Sequence, residues 1–246
     1  VGRHPDRAQF EAQYDAFIKD RAFVENVDYY HQSRSRYWQA LSRFGALDPQ
    51  PGQSILDIGG GQFAILANRL YGLDGFVGDA VADAARDVEA AGLGFVKLDL
   101  FADRLEHDRQ YDFISMLEVI EHIPEPPYVV LRRVAKLLKP GGVLFLTTPN
   151  GHRLRNVLYM LLGREINGLY RYPERDEVLG HQHEYTMKHL RWQIGEAGLE
   201  LLFCDYYEDG WRGASPAARV AWTLARPFSA VPRLRNGLIA AMRRPA

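Results

Sequence analysis

With 246 residues, 47% of them hydrophobic and 25% charged, the chain is long enough for one α/β domain with a large core and an appendage. A net charge of -1 argues against a dedicated nucleic-acid binder, and the single cysteine, Cys204, excludes an intrachain disulfide framework and a cysteine-rich zinc site. No apolar run approaches ~18 residues, so no spanning helix is expected. The polar N-terminus has no apolar signal-peptide core, and an intracellular compartment is compatible with this composition.

Residues 1–47 precede the first strand. Phe10, Tyr14, Phe17 and Ile18 recur at helical spacing, as do Trp38, Leu41 and Phe44. The segment between them, VDYYHQSRSRYW, is rich in Tyr and Arg. Two readings stand: amphipathic helices packed on the sheet, or a lid whose aromatic walls and cations cover a ligand. Pro49-Gln50-Pro51-Gly52 is the turn into the first strand.

The stretch SILDIGGGQF, Ser54 to Phe63, is the one around which the chain is organised. Ile55-Leu56 leads into Asp57, then Gly59-Gly60-Gly61, then a new apolar period at Phe63, Ile65, Leu66 and Leu70. This spells strand, tight turn, helix. In an open parallel sheet such a turn is where a nucleotide-like ligand binds, and glycine lets the backbone approach it closely. Gly59 and Gly61 fit the first two positions of the dinucleotide fingerprint, but the third would be Ala64, which speaks against an NAD-dependent oxidoreductase. The second strand, Gly75 to Gly78, ends at Asp79, about 20 residues after the glycines, the spacing of a ribose-binding acid. Its carboxylate could accept from both ribose hydroxyls. It could instead cap the helix Val81 to Ala91, a post for which Asp83 competes. The third strand, Gly94 to Leu98, ends at Asp99-Leu100. The fourth is Tyr111 to Met116, and the fifth, Gly142 to Thr148, follows the turn Lys139-Pro140-Gly141-Gly142. Strands alternating with helical patterns predict a doubly wound α/β sheet.

Asp57-x-Gly59-x-Gly61 at the end of the first strand resembles the class I S-adenosylmethionine (SAM) methyltransferases, with Phe63 where a third glycine usually falls. The run Tyr111 to Asn150, with its E-V-I-E-H-I-P and L-K-P-G-G segments, is most similar to the ubiquinone-biosynthesis O-methyltransferase subgroup and its generic relatives. The resemblance extends over residues 36–203. It implies a Rossmann-like, doubly wound, seven-stranded sheet. The sixth strand would be Leu199 to Tyr206, with the antiparallel seventh, Gly237 to Met242, inserted beside it. It implies SAM as cofactor and S-adenosylhomocysteine as product. Asp57, Gly59 and Gly61 would form the cofactor loop, Asp79 would meet the ribose, and Asp99 and Leu100 the adenine. Leu117 would touch the cofactor through its backbone. Arg36 would meet the cofactor carboxylate, with Arg34 as its rival.

Glu118, Glu121 and His122 fall at i, i+3, i+4 and would share a face if the stretch is a helical turn. Two carboxylates and an imidazole could hold a divalent cation. In the ubiquinone subgroup the trio is associated with a metal, but the pattern also occurs in relatives where none is implied. A metal is therefore considered and not expected, and His122 is read as a base or acceptor-positioning group. Beyond Asn150, Leu154, Val157, Leu158, Leu161 and Leu162 make an apolar helix face. The loop INGLYRYPERDEVLGHQHEYT comes next, with His181, His183 and Glu184 before the capping Thr186. His181 and His183 join His122 as candidate catalytic bases, since an alcohol acceptor must lose a proton. From Gly210 onward there are seven arginines and no acid. A helix over Ala217 to Arg226, with Trp222, could rest on a membrane surface or pack on the domain or a second subunit.

The expected organisation is a helical lid over 1–47 and a methyltransferase domain over 48–246. Two inserts interrupt the latter, an acceptor-side one over 151–186 and a basic helical one over 210–235. The expected function is SAM-dependent O-methylation of a hydroxyl on a sugar, glycan or lipid-linked small molecule. An N-methyltransferase of a small metabolite and a non-catalytic SAM-binding subunit are the alternatives. A nucleic-acid partner is not expected. A cytoplasmic location with peripheral membrane contact through 210–235, and a homodimer, are compatible with the sequence.

Overall fold

The computed structural model describes residues 4–16, 27–80, 85–102, 105, 107–166, 180–209, 220, 223–224 and 226–246. Phe17, Ile18, Asp83, Arg219, Trp222 and the greater part of the 166–186 loop lie outside the described residues. Seven strands form one sheet in the order β3-β2-β1-β4-β5-β7-β6. They are β1 (Ser54–Ile58), β2 (Asp74–Asp79), β3 (Gly94–Lys97), β4 (Tyr111–Leu117), β5 (Leu138–Pro149), β6 (Glu200–Tyr207) and β7 (Gly237–Arg243). Neighbours among the first five pair in parallel, while β7 runs antiparallel to both β5 and β6. This is the expected doubly wound, Rossmann-like sheet with its reversed last strand.

The helices are α1 (Arg7–Tyr14), α2 (Val27–Phe44), α3 (Gln62–Tyr71), α4 (Ala85–Ala90), α5 (Pro127–Ala135), α6 (Leu154–Leu161) and α7 (Met187–Glu196). Every residue of β1 is buried, because a central parallel strand is covered on both faces. One face carries Leu56, Ile114, Leu144 and Ala240 against α5 and α7. The other carries Ile55, Phe113, Phe145 and Ile239 against α1, α2 and α3. Thus the described N-terminal helices pack on the sheet. Phe44 of α2 sits at ring distances of 5.3, 5.0 and 5.4 Å from Phe63, Phe113 and Phe145. Phe44→Ala is expected to cost about 3–5 kcal/mol of stability, a core aromatic replaced by a cavity. Urea unfolding checks this, and a loss below about 1 kcal/mol would mean that the helix is only loosely docked.

The L-K-P-G-G segment serves the opposite end of the sheet from any ligand. Lys139 Nζ reaches Asp112 Oδ2 at 2.7 Å, and Ser54 donates to the same oxygen from its backbone and its hydroxyl at 2.8 Å. A Cβ on Gly142 would stand 2.9 Å from the Lys139 carbonyl oxygen and 3.1 Å from that of Tyr111. The glycine is required by the close approach of three backbone carbonyls.

Candidate active site

The crevice lies outside the carboxyl ends of β1 and β4, where the strand order reverses. Its floor is the Gly59–Gly61 turn. Gly59 and Gly61 have φ of 120° and 78°, values that favour glycine. A Cβ on Gly59 would stand 3.1 Å from Val119 Cγ2, and one on Gly61 3.0 Å from Val77 Cγ2. Asp57 holds the turn from beneath. Its Oδ2 accepts from the backbone N–H of Phe63 and Ala64 at 3.1 and 3.3 Å, and its Oδ1 accepts from Ser115 Oγ at 2.7 Å. Asp57 therefore caps α3 and pins the loop to β4.

Burial pushes the Asp57 carboxyl up to about 6, against the lowering influence of Ser115, Ala64 and Phe63. The native state then holds this proton more tightly than the unfolded chain. The resulting stabilisation is full below about pH 4 and is lost as pH rises through about 6. Asp57→Asn should remove roughly 2–3 kcal/mol of pH dependence between pH 4 and 7. Urea titrations of both proteins over that range test it, and identical slopes would overturn it.

Asp79 ends β2 opposite Lys97 of β3, at the carboxyl rim. Asp99 follows β3, is exposed, and accepts from the Phe101 N–H at 2.9 Å, shaping the turn that carries Leu100. Leu117 is the last residue of β4 and is half-buried. The two candidate arginines part company. Arg34 pairs with Glu11 and Asp15 of the N-terminal segment. Arg36 is buried, bonds Ser33 Oγ at 3.2 Å, and faces Glu118 Oε2 at 3.6 Å.

The expected helical face of Glu118, Glu121 and His122 does not form. Glu118 takes a left-handed backbone, φ 56°, and only Ile120–His122 make a short 3-10 turn. The left-handed residue directly after β4 interrupts any right-handed helical run, so Glu118 shares no turn with Glu121 and His122. Glu118 instead binds the β5 and β6 ends: Thr147 Oγ1 and Tyr207 Oη donate to its Oε1 at 2.9 and 3.1 Å. Glu121 is fully buried and accepts from Thr148 Oγ1 at 3.0 Å. Burial, then the neighbouring Glu118 charge, hold its carboxyl well above the usual carboxylate range, against the lowering effects of Thr148 and Arg36.

The group that the fold gathers is Glu121, His122 and His181, whose ligating atoms lie within 4.8 Å of one another. The rings of His122 and His181 meet edge-on at 4.8 Å. His122 Nε2 is 3.9 Å from Glu121 Oε1, an oxygen that is buried with no hydrogen-bond partner among the described residues. His183 is exposed and joins through its backbone, whose N–H donates to the Glu121 carbonyl at 3.2 Å. His181 is positioned by Glu184, whose Oε1 lies 3.4 Å from His181 Nδ1. Glu184 in turn is clamped by Arg153 and by Asn156 Nδ2 at 2.6 Å. Burial raises the Glu184 carboxyl, but His181, Arg153, Asn156 and Arg155 together bring it below its ordinary value. Sequence reasoning missed Thr147, Thr148, Tyr207, Arg153 and Asn156. The only sequence signal was the polar T-T-P-N end of an otherwise apolar strand.

Residues 29–202 match the family described as a methyltransferase domain. The chain belongs to this family. Its class I, SAM-dependent type follows from the family and the sheet together, and SAM is the cofactor that goes with it. Among curated relatives, the ubiquinone biosynthesis O-methyltransferase of Shewanella halifaxensis is 35% identical over 123 residues, covering 46% of this chain and 50% of the relative. That of Citrobacter koseri is 35% identical over 107 residues, covering 40% and 43%. The chain thus spans about half the length of the curated relatives it matches. Among solved structures, the complex between the Haloferax volcanii Trm112 methyltransferase activator and a methyltransferase includes a chain of similar fold. The TM-score is 0.63 at 18% identity, covering 95% of this chain and 98% of that one. The N-methyltransferase NodS from Bradyrhizobium japonicum, in complex with S-adenosylhomocysteine, has a TM-score of 0.50 at 16% identity, covering 97% and 98%. Both likenesses concern the fold.

This methyltransferase domain fits its cofactor. Gly59 and Gly61 leave no room for a Cβ against Val119 and Val77, so the turn presents bare backbone beneath a rim bearing Asp79 and Asp99. Among the described residues, no helix is long and apolar enough to cross a membrane.

Proposed function

We propose that the chain catalyses O-methylation of a hydroxyl on a sugar, glycan or lipid-linked small molecule. Bound SAM would supply an electrophilic methyl group on its sulfonium. In this reading Gly59 and Gly61, supported by Asp57, receive the methionine portion. Asp79 accepts from the ribose hydroxyls, Asp99 and Leu100 border the adenine, and Leu117 contributes its backbone. Arg36 would share its guanidinium between the cofactor carboxylate and Glu118. The observation that supports an oxygen acceptor is the His122–His181 pair at the carboxyl rim, two imidazoles beside the buried Glu121. A hydroxyl must lose its proton as its oxygen is methylated, and an imidazole held in hydrogen-bond reach removes it near neutral pH. His181, oriented by Glu184, and His122 are the proposed bases, and His183 positions the Glu121 turn through its backbone. Holding acceptor and cofactor in line supplies much of the remaining acceleration. Besides packing on the sheet, the N-terminal helices would cover this crevice where Arg36 of α2 reaches Glu118. Residues 210–235 offer peripheral membrane contact, a part supported by exposed Val220, Leu224 and Phe228.

The test is transfer of labelled methyl from SAM to fractions of a source-cell extract, with and without EDTA. Label in a sugar, glycan or lipid fraction supports the proposal. Label on amine nitrogen, or none despite SAM binding, overturns it in favour of an N-methyltransferase or a non-catalytic subunit. A second reading is favoured by the buried Glu121 oxygen that has no hydrogen-bond partner among the described residues: Glu121, His122 and His181 could hold a divalent cation that orients the acceptor. Loss of transfer with EDTA, restored by Mg2+ or Zn2+, would establish it.

A further inference from the structure

A cavity of about 740 Å3 opens at the β6–β7 edge, on the side of α2. Its walls include Arg43, Tyr206, Tyr207, Glu208, Thr223 and Arg235. That volume exceeds the needs of a single small ring and falls in the usual range of small-molecule sites. Tyr207 belongs to both the cavity and the crevice: it lines the former and donates its hydroxyl to Glu118 at 3.1 Å in the latter. Its ring is seated by Gly237, where a Cβ would stand 2.2 Å from Tyr207 Cε1. The absence of a side chain at the start of β7 leaves the room that this ring occupies.

The charges in the walls are unequally satisfied. Arg43 has Asp205 at 3.4 Å, and Glu208 accepts from Asn236 Nδ2 at 2.6 Å. Arg235 is held by carbonyls alone. Its Nε donates to Ser229 O at 3.1 Å and its Nη1 to Tyr206 O at 3.5 Å, and no carboxylate pairs with it among the described residues. A half-buried guanidinium, fixed at its stem and facing a cavity, matches an oxyanion, which accepts two parallel N–H bonds from it.

We infer that this cavity holds the body of the methyl acceptor, a small molecule bearing an oxyanion, carboxylate or phosphate, that meets Arg235 while its hydroxyl points past Tyr207 toward the cofactor crevice. The inference rests on the methyl-transfer reading and adds where the acceptor sits and what charge it carries.

The experiment uses the full chain with Thr223→Cys, modified by fluorescein maleimide. Burial pushes the native Cys204 thiol up to about 11, so reagent at neutral pH goes to the new cysteine. Methyl transfer to source-cell extract should fall at least about 10-fold on modification, with the SAM dissociation constant within about two-fold of the unmodified protein, a ratio set by 1.4 kcal/mol per decade. Undiminished transfer after complete modification overturns the cavity assignment. The labelled product should be retained by an anion exchanger, and its yield should fall about 10-fold in Arg235→Gln, the loss of one charged contact. A neutral product overturns the oxyanion assignment and leaves methyl transfer standing. Release of the product from the exchanger by phosphatase marks a phosphate, and continued retention a carboxylate. If the unmodified chain transfers nothing, the proposed function falls. Line broadening of glucose 6-phosphate, present with the wild type and lost in Arg235→Gln, would then support the oxyanion site, and equal spectra would overturn it.

Discussion

Replacing His181 by alanine is expected to lower the methyl-transfer rate constant by about 10²–10⁴-fold, the usual contribution of a positioned general base. SAM affinity should change little, because the contacts of His181 are with Glu184 and His122 and not with the glycine turn. The ring is held by Glu184 at 3.4 Å and by His122 edge-on at 4.8 Å, so its removal deletes a group that the fold spends Arg153 and Asn156 to place. Its side chain is 37% exposed, which makes the variant a poor candidate for global unfolding. Single-turnover kinetics with saturating SAM is the measurement. A rate within about three-fold of wild type would remove His181 from the chemistry and leave His122 as base, a distinction of about 0.7 kcal/mol in barrier. Glu121→Gln sharpens the reading. Glutamine keeps the shape of this side chain and an oxygen to accept from Thr148 but lacks the charge a cation needs, so a base system should tolerate it better than a cation site would. Stability retained with transfer abolished would point to a bound cation.

The second large effect is expected at the glycine turn. Gly61→Ala should weaken SAM binding by at least about 10-fold and destabilise the fold by roughly 1–2 kcal/mol. Two physical costs add. The backbone at φ 78° is unfavourable for any side chain, and the new Cβ would stand 3.0 Å from Val77 Cγ2. The two can be separated, because Val77→Ala removes the clash and leaves the dihedral. The double variant should recover part of the stability, and the remainder measures the left-handed conformation. Calorimetric SAM titration and urea unfolding supply the two axes. Unchanged affinity in Gly61→Ala would mean that the cofactor does not approach this turn closely.

Much of this architecture was legible because it rests on local chemistry. Asp57, three glycines and an apolar period specify a strand, a turn and a helix within ten residues of one another. The β4 and β5 runs are mainly apolar at their centres, Phe113-Ile114 and Val143 to Leu146, which in a chain of alternating elements means strands buried on both faces. Asp79 and Asp99 fall at the ends of apolar runs, so their place on the carboxyl rim is fixed by strand direction. Thr186 before Met187 announces a helix cap, and its Oγ1 accepts from the His189 N–H at 3.2 Å.

The sequence by itself determined the runs of strand and helix, the glycine turn and the motifs that carry the family resemblance, since each depends on residues that are neighbours in the chain. Only the tertiary structure decided which polar groups meet. Spacing alone suggested a shared face for Glu118, Glu121 and His122, yet helical spacing has meaning only where a helix forms. The left-handed turn at Glu118 sends that carboxylate to Arg36, Thr147 and Tyr207. Its place beside Glu121 and His122 is taken by His181, which is distant in sequence and delivered by the Glu184 clamp. On paper Arg34 is the rival of Arg36. They diverge because positions two apart on a helix point to different sides, one toward α1 and one toward the end of β4. Such pairings are set by packing between elements, a property that no short window of sequence contains.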